Sequence, residues 1–316
     1  VHYLTQPIPN PISPFFHFAP KFFHTLSLLF NHFIELIVPF FLFMPRFFRI
    51  LAGVLFPVFQ IAIILSGNYA WINHLTLLMI IPCFDDNFLK IVYKKLKILK
   101  LNTKKTFFDQ RNKSQKKLQN ILFICLFYFL SQQNYKPFKN LMSSRQLMNY
   151  SYNQFHIANT YGVFGSITKT RYELVIEGTN DKQISENTIW YEYEIPCKPG
   201  KIDKTPCIIS PYHYRITWQI WFAAMGDLSH SPWLIHLLAK ILEHDKKALS
   251  FFSKNPFPQS PPRFLRIRRY IYDFENPYSF KKENWYKRKE AGFFLKEVHS
   301  QHPLILFIRK KLSTRK

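Results

Sequence analysis

Acid is scarce in this sequence: 19 Asp and Glu stand against 43 Lys and Arg in 316 residues, for a formal charge of +24. A basic excess of that size ordinarily points to nucleic acid. Here there is no zinc-finger spacing and no aromatic RNA-binding signature, and much of the charge lies in one block beside apolar segments. Solvated basic faces and lipid headgroups account for it, and nucleic acid is not an expected partner. Glycine is sparse too, at eight residues. No Gly-rich phosphate loop, serine nucleophile elbow or cysteine-histidine signature occurs. Gly162 and Gly165, with no phosphate-loop lysine after them, read as turns. Cysteines number four. Cys83 and Cys125 lie in or beside apolar runs, where small buried residues are the simplest reading. Cys197 and Cys207 flank a loop holding Pro199, Gly200 and Pro206. They are too far apart for a redox motif and lack a second pair for a metal. A disulfide closing this loop is expected, stabilising the fold by about 2–3 kcal/mol in an oxidising compartment. No metal and no cofactor is expected.

Apolar residues, phenylalanine above all, crowd the first 130 positions. Residues 25–44 are interrupted only by Asn31, His32, Glu35 and Pro39, and residues 50–66 only by Gln60. At about 1.5 Å per residue, such runs cross a ~30 Å hydrocarbon layer. Pro45 to Arg49 reads as a tight turn with two cationic anchors, Arg46 and Arg49. A third run, 69–83, contains Asn73 and His74 and stops at Asp85-Asp86; it fits an oblique crossing or a re-entrant segment. From Asp86 to Lys117 eleven Lys or Arg face two Asp, which makes this loop cytosolic by the positive-inside rule. Residues 118–133 are the last candidate crossing. Their apolar core is only about ten residues, against the roughly seventeen to twenty-five usual for a span. If they cross, the chain beyond them lies in the lumen of the secretory pathway. The expected organisation is membrane helices over 1–85 with two or three crossings, a basic cytosolic loop over 86–117, a last membrane segment over 118–133, a luminal α+β domain over 134–300 and a basic tail over 301–316. Val1 is not an initiator methionine and the chain opens on Pro7, Pro9, Pro11 and Pro14, so an upstream portion is expected.

In the later part, Tyr172, Leu174 and Ile176 alternate with Arg171, Glu173 and Glu177, and Tyr191, Tyr193 and Ile195 alternate with Glu192 and Glu194. Both patterns predict half-buried strands. Residues 264–274 predict a third strand, with a bulge where Arg268-Arg269 breaks its phase and with Arg266 and Arg268 placed opposite the glutamates. Ser231-Pro232 has the chemistry of a helix start, and Leu234, Leu238, Ile241, Leu242, Leu249 and Phe252 predict one amphipathic helix ending before Asn255-Pro256. Residues 213–225 read as a second helix or a strand-to-helix passage. The fold class is an α-helical membrane bundle followed by a soluble α+β domain with a small, mainly antiparallel sheet.

His32 and Glu35 share one helical face at membrane depth, where ionisable groups form a functional-site hypothesis by default. A structural polar clasp, or a helix end at the interface, is the favoured reading of the pair. His230, His236 and His244 match no common zinc motif and are expected on a helix surface. Aromatic density stands above background around Tyr161, Phe164, Trp190 and Trp233 and between Tyr212 and Phe222. Tyr212, Tyr214, Trp218, Trp221 and Phe222 are the candidates for binding a protein partner, in so far as they are exposed. Two glycosylation acceptors occur, Asn112-Lys-Ser and Asn149-Tyr-Ser; a luminal tail would carry its glycan on Asn149.

Several stretches together resemble the lipase maturation factor family: NHFIELIVPFFLFMPR over residues 31–46, SGNYAWINHLT over 66–76, CFDD over 83–86, NTYGVFGSITKTRYELVIEGT over 159–179, CKPGKIDKTPCIISPYHYRITWQIWFAAMG over 197–226, NPFP over 255–258 and WYKRK over 285–289. The resemblance implies a multi-pass protein of the endoplasmic reticulum membrane with a luminal C-terminal domain. It implies chaperone-type help to secreted lipases, lipoprotein lipase above all, with those lipases and membrane lipids as partners. It also implies that Cys197 and Cys207 correspond to the family's paired cysteines, and it carries over no catalytic residue, so the chain is not expected to be an enzyme. The chain departs from the pattern in its missing upstream segments, in its short last crossing, and in Lys296 and a basic tail where the family has a proline pair. The alternatives are an integral-membrane enzyme, oxidoreductase or lipid-modifying, using His32 and Glu35, and a scaffold of the reticulum membrane without a lipase client.

Overall fold

The computed structural model describes residues 2–96, 113–160, 168–279 and 284–313. The chain forms two compact units, residues 1–86 with 168–316 and residues 87–167. In the first, α1 (His2–Thr5) and α2 (Ser13–His17) are short helices in the Pro-rich start. α3 (Lys21–Leu36) comes next, and Pro39, with no N–H to donate, tightens its continuation into a 3-10 segment, Val38–Phe43. Beyond Pro45, α4 (Arg46–Ser66) runs for 21 residues. At 1.5 Å per residue that is roughly 31 Å, the depth of a hydrocarbon layer. Lys21–Phe43 and Arg46–Ser66 are both long and apolar enough to cross a bilayer. The third apolar run forms α5 (Ile72–Met79) and a 3-10 turn, Ile81–Cys83. It returns along α4: Asn73 Nδ2 donates to Gln60 Oε1 at 2.8 Å, and Asp85 pairs with Arg46. Cys83 and Phe84 close on Gly53, where a Cβ would come within 2.9 Å of both. Arg46 and Arg49, expected as anchors in a tight turn, are instead helical. They form the first turn of α4, and Asp85 answers them, with Arg49 at 4.0 Å. Among the described residues the expected bundle amounts to two spans and a shorter apolar return.

α6 (Asp86–Leu96) leads into the second unit. Most of the basic loop, including Asn112, lies outside the described residues, as do Tyr161, Gly162, Phe164 and Gly165. α7 (Lys113–Leu141) has 29 residues and extends well past the expected segment 118–133 at both ends. Its apolar centre is flanked by Lys116 and Lys117 before and by Gln132, Gln133 and Asn134 after. Leu147 N–H donates to Asn140 Oδ1 at 2.8 Å and Asn140 Nδ2 donates back to Leu147 O at 3.0 Å, fixing the chain as it leaves the helix. β1 (Tyr150–Ser151) and β2 (Asn159–Thr160) then pair antiparallel.

The remainder of the first unit is α+β. β3 (Arg171–Thr179), β4 (Tyr191–Glu192), β5 (Phe264–Phe274) and β6 (Tyr286–His299) form an antiparallel sheet in the order β4-β3-β5-β6. α8 (Arg215–Met225), α9 (Trp233–Leu242) and α10 (Lys246–Leu249) lie between β4 and β5 in the chain, and α11 (Pro303–Ser313) comes after β6. Leu174, Ile176, Leu265 and Ile267 of the sheet meet Ile220, Leu234, Leu238, Ile241 and Ile305 of the helices in the main core. The alternation in β3 predicts solvent on its other face. That face is buried instead, because Leu4 packs there with Val175, Tyr270, Tyr272, Phe274 and Tyr286.

The structure departs from the sequence pattern in three places. β5 keeps an unbroken register with β3 from Thr179↔Phe264 to Arg171↔Tyr272, so Arg268-Arg269 makes no bulge against β3. The irregularity expected at Arg268-Arg269 lies in the pairing with β6 instead, where one register shift falls between Arg268 and Tyr270 and Gly292 of β6 takes φ 96°. Arg269 points to the helix side and delivers its charge to Gly226 O at the end of α8, 2.5 Å away. Of the cross-strand pairs, Arg266 stands opposite Glu177 with Nε 2.6 Å from its carboxylate, while Arg268 is opposite Val175 and reaches the same Glu177 at 4.0 Å. Glu173 has Tyr270 as its register partner. Finally, the single helix from Ser231 is two. α9 ends when Asp245 N–H bonds Lys240 O and His244 N–H bonds Ile241 O, with His244 left-handed at φ 53°. The Asp245 side chain then accepts from Lys247 N–H and Ala248 N–H and starts α10. Ser231 serves α9 through its carbonyl, not its hydroxyl.

Candidate functional site

The densest polar arrangement lies where the Pro-rich start, the end of α4 and the Cys197–Cys207 loop meet. Arg171 and Glu173 alternate onto one face of β3, and the loop delivers Lys198 to them. Glu173 is fully buried; its carboxylate lies 2.5 Å from Arg171 Nη2 and 2.7 Å from Lys198 Nζ. Lys198 also donates to Leu174 O at 2.8 Å. Two cations with one carboxylate leave an excess of positive charge in low dielectric, which must find other acceptors. The start of the chain supplies them: Arg171 donates to Leu4 O and Gln6 O at 2.5 Å each and to Pro7 O at 3.1 Å. Burial pushes the Lys198 ammonium below its ordinary pKa, and Glu173 opposes that push.

The same segment closes the end of α4. Helix C-termini leave carbonyls unpaired, and here Ser13 Oγ and Gln6 Nε2 donate to Ser66 O at 2.7 and 3.1 Å, while Asn10 Nδ2 donates to Leu65 O at 3.0 Å. A Cβ at Gly67 would lie 1.7 Å from Gln6 Oε1, so a larger residue there would push the Gln6 side chain off its bonds. Asn68 ties in the tail: its Nδ2 donates to Cys207 O at 2.9 Å, and its Oδ1 accepts from Ile209 N–H at 3.0 Å and Ser210 N–H at 3.2 Å. Cys197 and Cys207 are bridged, with Cα atoms 5.4 Å apart. Membrane helix, N-terminal segment and disulfide loop therefore form one joint. Chemically it is a clamp: its charged groups are ion-paired and enclosed.

The aromatic candidates divide. Trp221 is 3 % exposed and its Nε1 donates to Thr5 O at 3.0 Å, so it belongs to this joint and offers no surface to a partner. Trp218 and Tyr214 are half-buried. Phe222, 44 % exposed, lies against Trp221 and near Trp218 on α8. Tyr212 is exposed on a turn just after Cys207. A cleft of about 550 Å³ opens beside β4, lined by Trp190, Tyr191, Lys254 and Arg288 among others. His32 and Glu35 are both exposed on α3, and Glu35 accepts from Asn31 Nδ2 at 3.3 Å. His230 bonds Asp227 at 2.9 Å, and no group of three metal-ligating side chains occurs among the described residues. Asn149 is exposed immediately before β1, with φ 57°.

Sequence reasoning missed Gln6, Asn68, Arg171 and Lys198 as partners. The available signals were a row of prolines, whose neighbours' carbonyls are free to accept, and a basic residue inside a strand that is otherwise apolar on its inner positions.

Two family models match the chain in order: the lipase maturation factor transmembrane domain over residues 1–91 and the lipase maturation factor C-terminal domain over residues 157–296. The chain belongs to the lipase maturation factor family. It is 41% identical over 303 residues to lipase maturation factor 1 of Homo sapiens, covering 93% of this chain and 53% of the relative. It is 38% identical over 305 residues to the Bos taurus protein of the same name, covering 93% and 54%. Lipase maturation factor 2 of Mus musculus is 33% identical over 161 residues, covering 49% of this chain and 22% of the relative. The chain thus spans about half the length of the factor 1 relatives. No solved structure matches it. The joint at the end of α4 connects the two family domains, since Asn68 and residues 4–13 lie in the first and Arg171, Cys207 and Trp221 in the second.

Proposed function

We propose that this protein assists the folding and assembly of secreted lipases in the endoplasmic reticulum, as a membrane-held factor whose C-terminal domain faces the lumen. The observation that carries the reading is the ordered match to both family domains in one chain, with relatives named for lipase maturation. Geometry within the first unit supports the sidedness. The soluble fold meets α4 at Ser66 and Asn68, whereas Asp85 and the start of the basic loop lie at the Arg46 end. A basic loop in the cytosol then puts the soluble fold on the other side. The chain must then cross once more, and we assign that crossing to α7, whose apolar centre is shorter than that of the two helices long and apolar enough to span.

The client surface we propose is the outer side of α8, with Phe222 at its centre and Trp218 and Tyr214 beside it. An exposed aromatic among half-buried ones suits transient capture of apolar segments on a partly folded protein. Non-enzymatic assistance fits a site whose charged groups are enclosed in a clamp. The test is co-expression of lipoprotein lipase with the chain in cells lacking their own maturation factor, scoring secreted activity per unit of lipase mass. Active lipase should appear with the wild-type chain and fall several-fold with Phe222→Asp at equal chain abundance. If the wild-type chain raises no activity the functional reading fails; if Phe222→Asp matches wild type, the surface assignment fails.

A further inference from the structure

We propose that the turn following Cys207 is a membrane anchor, in which Ile208 and Tyr212 enter the headgroup boundary of the bilayer beside the end of α4. The turn closes when Tyr212 N–H bonds Ile209 O at 2.8 Å. Its height relative to the bilayer comes from Asn68, two residues beyond the end of a 21-residue span, which bonds Cys207 O, Ile209 N–H and Ser210 N–H. A span of that length ends at the edge of the hydrocarbon layer, so the turn is held at the interface. There the soluble fold leaves Ile208 73 % and Tyr212 62 % exposed.

Two further segments held at the end of the same helix expose apolar side chains as well. Ile12 and Phe15 flank Ser13, whose hydroxyl bonds Ser66 O, and Trp71 comes shortly after Asn68. Residues far apart in the chain are thus held at the end of α4 with apolar side chains exposed. Aqueous exposure of such side chains is unfavourable, and their place at the end of the spans makes lipid the occupant. The chemistry of the turn agrees. Residues 205–215 contain no acid, combine tyrosines with isoleucines, and end in exposed Arg215, a partner for lipid phosphate. Tyrosine and tryptophan are enriched at this depth because one end of each ring is apolar and the other polar. The turn would press the soluble fold onto the bilayer at a second point besides its covalent connections. This does not depend on any client.

The test uses the full chain in phosphatidylcholine nanodiscs doped with a phosphatidylcholine carrying a photoreactive diazirine high in its acyl chain, with lipid adducts mapped by mass spectrometry. Adducts are expected on residues 208–212 together with those on α3 and α4. In the double variant Ile208→Asp, Tyr212→Asp, adducts on the turn should fall about tenfold or more, because carboxylates are costly at membrane depth, while those on α3 and α4 persist. Absence of adducts on the turn in the wild-type chain overturns the proposal and leaves the turn to a protein partner. Adducts that persist there in the double variant overturn it too, since contact would not then be made by these two side chains.

Discussion

Buried charge is the feature of single residues with the largest consequences in this protein. Glu173 neutralises one of two cations, and backbone carbonyls of the N-terminal segment absorb the other's donors. Replacing Glu173 by Gln leaves Arg171 and Lys198 facing one another out of water, with an expected loss of about 3–5 kcal/mol. Replacing Lys198 by Met keeps the Arg171–Glu173 pair and its carbonyl partners, and costs less, about 1–3 kcal/mol for the lost bonds. Thermal unfolding of the detergent-solubilised chain checks the ranking; an equal or reversed order sinks this account of the cluster. At the same scale, Trp221 shows how a residue changes role with context. Its composition-level reading is a sticky aromatic, and its position makes it a donor to Thr5 O.

At the scale of elements, helix ends decide more than helix interiors. Apolar spacing from Leu234 to Phe252 is legible as helix, but the stop at His244 is not. Glu243-His244-Asp245 reads equally well as a polar helix face, and the reversal becomes visible only through its backbone bonds. A side chain at φ 53° is strained where glycine is at ease. His244→Gly should therefore leave the protein as stable or raise its stability by up to about 1 kcal/mol. A clear drop in melting temperature would show that the imidazole does more than occupy the position. The disulfide loop is a second such element. Converting Cys197 and Cys207 together to Ser should cost about 2–3 kcal/mol. Because Asn68 still holds the backbone at Cys207, Ile209 and Ser210, limited proteolysis should then cut residues 199–206 well before β3 or β5. Cutting at the wild-type rate would mean that the loop is held without its bridge.

For the whole molecule, the joint between α4 and the sheet makes sidedness the deciding property. The glycosylation acceptors test it directly. In cells, removal of Asn149 by Gln should abolish the glycosidase-sensitive mobility shift, and removal of Asn112 should leave it intact. The reverse pattern would put the basic loop in the lumen and deny the protein its proposed clients. Either result bears on residues 87–167 as well, since they connect Asp86 to the start of the soluble fold.

The two spans, the antiparallel strands and the cysteine pair are readable in the chain because each depends on local chemistry: apolar length, period-two alternation, and loop spacing. The buried second face of β3 is not readable that way. Arg171, Glu173 and Glu177 carry the alternation of a solvent-facing edge, and only the arrival of residues 4–7, Lys198 and the tyrosines of β5 takes them out of water. The Pro-rich start likewise reads as connecting sequence, since it lacks any hydrophobic period. Its value lies in carbonyls left free at the end of α1 and in the bends after it, and those acquire partners only when groups more than 160 residues away, such as Arg171, are brought to them. Local pattern thus determined the elements and the membrane character of this protein. The tertiary structure alone decided that its two domains are clamped together, because buried charge can be satisfied only by groups that folding has gathered around it.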